Sequence, residues 1–200
     1  MSSRIFSVIG TALTKVGVWA QLFTVVREGG FEVAAREPDP GLQLGWLGPE
    51  DLERAHALEP WRPREQVESW FGEGQLIFGV KDGEHLVGRT VCDLKRFSMN
   101  GMIRPLENDE VYLHSACVDP AYRGRGIAPL MRGECYRALR KEGYRRFYSV
   151  TKFFNAPARR FKEKLGAVEE RLLVYFDFFH KWYWTFTLPL PGRKANTGSE

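Results

Sequence analysis

With 200 residues, 44% hydrophobic and 27% charged, the sequence has the bulk for one sizeable core and the balance of a globular protein, which argues against wholesale disorder. Its three cysteines, Cys92, Cys117 and Cys135, are odd in number and lack C-x-x-C spacing or clustered histidines. They support neither a disulfide framework nor a metal site, and they point to a reducing, cytoplasmic interior. The net charge of +4 is unevenly spread: residues 119–166 hold thirteen Lys or Arg against four acids, which calls for a polyanionic partner such as a nucleic acid or a phosphorylated cofactor.

In chain order, residues 5–26 are apolar apart from Lys15, Gln21 and a few Ser, Thr and Gly. A seam of Ile5, Ile9, Ala12, Val16, Trp19, Phe23 and Val26, at steps of four and three, predicts a hydrophobic or amphipathic helix within a segment 1–30. Lys15 and Gln21 are costly in hydrocarbon, and no small-residue cleavage site precedes Arg27. Docking on the protein or a partner is the first reading, with a membrane-surface or spanning anchor through residues 5–26 and a targeting peptide behind it. Residues 31–41, with Pro38 and Pro40, read as a linker, and residues 189–200 as a flexible tail.

Between them, residues 42–188 form the compact domain. A strand is expected at 42–46, followed by a helix opened by Gly48-Pro49-Glu50-Asp51 and a second helix over 63–71. Residues 76–80 and 86–94 read as a hairpin around Asp82-Gly83. A long polar loop leads to a strand at 111–118. A helix over 127–141, stopped by Gly143, precedes a strand at 147–151, a helix over 156–165 and two aromatic strands at 172–178 and 182–187. This order predicts an α/β fold with a mixed central sheet of about six or seven strands flanked by helices, plus the extra N-terminal helix.

The chemistry concentrates at the strand-to-helix crossover. Gly124 and Gly126 allow close backbone approach, so several N–H groups can converge on an anion at the helix N-terminus, with Arg123 and Arg125 adding charge. A P-loop would need G-x-x-x-x-G-K-[ST], and a dinucleotide fingerprint would need a small residue where Pro129 stands.

Arg123-x-x-Gly126-x-Ala128, led in by Val118-Asp119-Pro120-x-Tyr122, resembles the R/Q-x-x-G-x-G/A pyrophosphate motif of the GNAT (GCN5-related N-acetyltransferase) family. The segment from Asn155 to Ala167 is similar to that family's N-x-x-A-x-x-[apolar]-Y-x-K-x-G-F. The resemblance covers residues 42–188. It implies a GNAT-like fold and an enzyme that moves an acyl group, most simply acetyl, from acetyl-CoA or another acyl-CoA to a small-molecule or peptide amine. No metal is involved in such a reaction. The implied cofactor contacts are the backbone of Ala116 and Val118 along the pantetheine, the amides of Arg123, Gly124, Arg125, Gly126, Ile127 and Ala128 around the pyrophosphate, and Asn155 on the cofactor arm. Arg159 or Arg160 is a guess, from charge, for the 3′-phosphate. Coenzyme A then becomes the partner of the basic segment and displaces nucleic acid.

For the base, His114 has the better intrinsic pKa, Tyr112 occupies the position where several family members carry a glutamate, and Glu110 is the carboxylate alternative acting through water. Val118 N–H is the implied oxyanion donor. Lys162 stands where the family carries a tyrosine acid. The charged helix around it favours a solvated lysine, and it could donate a proton only if burial or neighbouring cations lowered its pKa. Glu107, Asp109 and Glu110 could attract a cationic amine, with a solvated acidic loop as the plainer reading. A membrane-associated longer-chain acyltransferase and a non-catalytic acyl-CoA sensor stay open as alternatives, as does a homodimer.

Overall fold

The computed structural model describes residues 18–29, 40–99 and 102–189. Most of the expected linker and tail, and the expected helix up to Gly17, lie outside these residues. Ten strands and four helices are described. The strands are β1 (Val18–Glu28), β2 (Leu42–Leu47), β3 (Leu76–Asp82), β4 (His85–Asp93), β5 (Arg96–Met99), β6 (Met102–Pro105), β7 (Glu110–Val118), β8 (Arg146–Lys152), β9 (Val168–Phe178) and β10 (Trp182–Pro189). The helices are α1 (Leu52–Ala57), α2 (Arg64–Gly72), α3 (Ile127–Lys141) and α4 (Ala156–Lys164).

Eight strands make one sheet in the order β10-β9-β1-β8-β7-β4-β3-β2, and β5 and β6 form a separate pair where a loop was expected. Only β7 and β8 run parallel among the described pairs, as the intervening α3 crossover requires. Helix α3 packs Met131, Cys135 and Leu139 onto Val111, Leu113 and Phe147, while α1 and α2 cover Ile77 and Val91 on the opposite face. The β5–β6 pair places Phe97 over Tyr112, Phe23 and Leu173.

The helix expected across residues 5–26 is corrected over its second half, because Val18–Glu28 is a strand inserted between β8 and β9. Phe23 and Val25 join the core beneath β5–β6, while the alternate residues Thr24, Val26 and Glu28 are buried on the other face. A strand buried on both faces reads as an unbroken apolar run, and a 3–4 seam can be drawn through it by chance. The seam residues Phe23 and Val26 in fact belong to opposite faces. This added strand raises the sheet from the expected six or seven to eight.

Candidate active site

Strands β7 and β8 are in register only from Glu110 opposite Arg146 to Leu113 opposite Ser149. Beyond that point they part. β8 stays paired with β1 as far as Lys152 opposite Phe23, and β7 stays with β4 as far as Val118 opposite Gly88. The separation begins at a bulge where Ser115 has φ 47° and the β4 register slips between Arg89 and Val91. Buried Arg89 fixes this bulge: its Nη1 donates to the Ser115 carbonyl at 2.8 Å and its Nε to the Ala55 carbonyl at 3.2 Å. Above the bulge, Asp119 N–H donates to Val87 O at 2.9 Å, so strand alternation turns the N–H groups of Val118 and Ala116 toward the opening.

The opening is a cleft of about 1240 Å³. Tyr112, His114, Ala116, Val118, Arg123, Ala128 and Asn155 all line it. At one end lies the start of α3, where Gly126 holds φ 82° and provides no capping side chain, which leaves first-turn N–H groups for an anion. The turn before it is braced by Asp119, which accepts from Ala121 N–H at 2.8 Å, and by Arg123 Nε on the Val118 carbonyl at 3.1 Å. Ile127 packs its side chain into the core, so only its backbone faces this turn. Gly124, Arg125 and Gly126 belong to the same turn without lining the cleft wall. Asn155 caps α4 by accepting from Ala158 N–H at 3.2 Å, so its amide NH₂ is the group left for a ligand.

Of the three candidate bases, His114 lines the cleft with both ring nitrogens in hydrogen-bond reach of a side chain. Its Nε2 lies 3.1 Å from Gln75 Oε1 and its Nδ1 3.1 Å from Ser115 Oγ. Because the Gln75 oxygen can only accept, Nε2 carries the proton and the Nδ1 lone pair faces the Ser115 hydroxyl. Gln75 is held in turn by its Nε2 on Asp93 Oδ2 at 3.2 Å. Burial pulls the His114 pKa down to about 4, so the ring is neutral at physiological pH. Tyr112 stacks on this ring at 5.3 Å, and burial raises its phenol pKa, which keeps it protonated.

Glu110 stands apart from the cleft wall. Burial would raise its pKa, but Arg104 at 2.7 Å, Glu107 N–H at 3.1 Å and Arg146 at 3.0 Å outweigh that and hold it ionised. Asp109 is likewise ion-paired with Arg146. Cys117 lines the cleft, but burial pushes its thiol up to about 11.

Lys162 differs from the solvated lysine that its charged neighbours suggest. It is 6% exposed and lines the cleft. Its Nζ donates to Ser149 Oγ at 2.6 Å and lies 3.5 Å from Glu28 Oε1. Glu28 also accepts from Tyr136 and Ser149, and Arg132 Nε is 3.7 Å away. Arg132 Nε and Nη1 are buried without a hydrogen-bond partner. Burial, with the Arg132 charge adding to it, brings Lys162 down to about 8 against the opposing pull of Glu28. Arg132, Arg140 and Arg146 thus spend their charge on internal partners, and only part of the basic segment remains for a ligand.

The profile of the acetyltransferase (GNAT) family matches residues 45–167. The chain belongs to the GNAT family. A sequence comparison with curated proteins gave no match. Among solved structures, the fold is similar to a GNAT-family protein from Novosphingobium aromaticivorans (22% identity, TM-score 0.59), with 79% of this chain and 65% of that chain covered. It is also similar to the ribosomal-protein-S18-alanine N-acetyltransferase of Escherichia coli (21% identity, TM-score 0.52, 62% of this chain and 76% of that one). A third similar structure is the aminoglycoside N-acetyltransferase AAC(6')-Iy in complex with CoA (18% identity, TM-score 0.53, 66% and 90%). The GNAT chain therefore has the family's mixed α/β fold, here with β1 added outside the matched residues. Among the described residues no group of three or more His, Cys, Asp or Glu is placed to hold a metal, and no helix is long and apolar enough to cross a membrane.

The residues that sequence reasoning missed are Gln75, Arg89, Ser115, Glu28 and Arg132. Apart from Ser115, which is adjacent to His114, each acquires its role from elements distant in sequence.

Proposed function

We propose that this GNAT chain is an acyl-CoA-dependent N-acyltransferase that moves acetyl from acetyl-CoA to a primary amine of a small molecule or peptide by direct attack. The observation that carries the reading is the β7–β8 separation, which leads from free strand N–H groups at Ala116 and Val118 to the uncapped start of α3 at Gly126. The pantetheine arm lies along β7 as an added strand, with its pyrophosphate on the amides of residues 123–128. Asn155 reaches the arm through its amide NH₂, and exposed Arg160 approaches the 3′-phosphate.

The amine enters from the side of Trp61, Arg62 and Trp70, across the cleft from α4. Neutral His114 takes its proton through the Ser115 hydroxyl, which the Nδ1 lone pair faces. Val118 N–H stabilises the oxyanion of the tetrahedral intermediate. Collapse of the intermediate breaks the C–S bond, and Lys162 gives the departing thiolate a proton. Its lowered pKa suits that task, which supports catalysis over a purely sensing role.

The test is thiol release from acetyl-CoA across a panel of primary amines, with CoA binding measured separately by calorimetry. Binding with amine-dependent release is expected. Absence of CoA binding overturns the reading, and binding without release on any amine leaves a sensor.

A further inference from the structure

Behind the Nε2 side of His114 stands a polar chain that the proton transfer above leaves without a role. Asp93 lies opposite Tyr112 and Val91 opposite His114, so Asp93 and His114 project from one face of the β4–β7 pair. Gln75 bridges them. It follows the left-handed turn at Gly74 (φ 74°), and its backbone N–H is anchored on Trp70 O at 2.9 Å. Its Nε2 donates to Asp93 Oδ2 at 3.2 Å, and its Oε1 lies 3.1 Å from His114 Nε2. Asp93 is buried, and its Oδ1 accepts from the N–H groups of Lys95 and Arg96 at 2.8 and 3.0 Å. Arg96 Nε is 3.7 Å from Oδ2. The ring is also clamped, stacked on Tyr112 at 5.3 Å and met edge-on by Trp70 at 6.0 Å. The orientation of each member follows from Asp93. A carboxylate only accepts, so the Gln75 amide turns its NH₂ to Asp93 and its oxygen to the imidazole, and that oxygen requires the ring proton at Nε2.

We propose that Gln75 and Asp93 are positioning residues for the acyl transfer, holding His114 as the Nε2–H tautomer so that Nδ1 is the atom that takes the proton. The role rests on the acyl-transfer reading above. As the amine's ammonium gives a proton to Ser115 Oγ, the Ser115 hydroxyl proton passes to His114 Nδ1, 3.1 Å away. One N–H bond breaks on the amine and one forms on the ring, and Ser115 ends as it began. The ring gains a positive charge with both nitrogens donating, Nε2 still to Gln75 Oε1. Burial opposes that charge most strongly, Asp93 favours it, and Arg132, Arg62 and Arg89 oppose it. The Gln75 amide dipole passes the influence of the carboxylate to the ring. Without the pair, the Ser115 oxygen is free to accept from Nδ1–H, and the lone pair moves to the side of the ring away from Ser115.

The test reads the ring nitrogens of His114 by nitrogen–proton correlation spectroscopy in the full chain, with His114→Gln to assign the signals. The unaltered protein should show the Nε2–H tautomer. Asp93→Asn keeps the side-chain shape and should invert it. Its oxygen stays on the Lys95 and Arg96 N–H groups, and its NH₂ draws the Gln75 oxygen round. The Gln75 NH₂ then faces the imidazole, so Nε2 must accept and the ring proton moves to Nδ1. Amine acetylation by Asp93→Asn should lose at least about tenfold in kcat, the direction expected of a wrong tautomer, while CoA affinity is kept. Gln75→Met, which removes the bridge without touching the carboxylate, should give a mixture of tautomers and an intermediate loss. An Nδ1–H ring in the unaltered protein, or Nε2–H retained in Asp93→Asn, overturns the proposal. Inversion of the tautomer with kcat unchanged overturns it too. The spectra need no turnover, so these failures are separate from that of the acyl-transfer reading, which falls if the unaltered protein acetylates no amine.

Discussion

Lys162 Nζ sits 2.6 Å from Ser149 Oγ and 3.5 Å from Glu28 Oε1, so a lysine from α4 is held by a carboxylate from the first strand of the sheet. With Arg132 nearby, two buried cations share one buried anion. That imbalance, on top of burial, favours loss of a proton from Lys162.

Replacement of Lys162 by Met should lower kcat by about 10²-fold with little change in CoA affinity, the lower range for loss of a general acid, because a thiolate leaves readily. Lysine must be protonated to donate, so the rate should fall as pH rises through about 8. Lys162→Tyr should recover part of the activity and move this limb upward. Steady-state pH profiles of the three proteins decide the point, and an unchanged alkaline limb in Lys162→Met would remove the acid role.

Glu28→Gln should destabilise the fold by about 3 kcal/mol or more at neutral pH, because it strands two buried cations. It should also lower the Lys162 pKa further and carry the alkaline limb downward. Urea denaturation gives the first quantity and the pH profile the second.

His114 makes stability depend on pH through burial. Its folded pKa of about 4 lies below the ordinary 6.5, so between these values the unfolded chain binds a proton that the folded chain does not. The stability is complete above about 6.5 and is lost as pH falls toward 4, by up to about 3 kcal/mol. His114→Gln should flatten that part of the stability curve relative to the unaltered protein, as followed by denaturation at a series of pH values. The same substitution should lower kcat by about 10²-fold if the imidazole is the base.

Gly126→Glu should weaken CoA binding by at least about a hundredfold, since it sets negative charge where the proposed pyrophosphate site meets the helix N-terminus. Calorimetry reads this, and a melting curve shows that the fold survives. Unchanged affinity would displace the pyrophosphate from the turn before α3.

The parts of the chain legible in sequence were those governed by local chemistry. Helix α3 runs over residues 127–141 as expected, because Gly126 and Gly143 bracket an apolar period. The turn before it was marked by Gly124 and Gly126, which both adopt positive φ. Strand β1 was illegible as a strand because its inner stretch, Phe23 to Val26, is buried on both faces. Lys162 lies among Arg159, Arg160, Glu163 and Lys164, and its burial depends on Glu28 and Ser149, which are themselves 121 residues apart. The β5–β6 pair was hidden by its four-residue strands, too short for periodicity to register.

The position of β1 between β8 and β9 bears on where this domain begins. The family profile starts at residue 45, yet the strand that joins β9 and β10 to the rest of the sheet lies upstream of it. Since Val18 pairs with Phe178, this joint closes only after Phe178 has left the ribosome. Until then the aromatic C-terminal hairpin has no other strand of the main sheet to pair with. A version begun at residue 42 would detach that hairpin, expose its apolar strands, and deprive Lys162 of its carboxylate in the same cut.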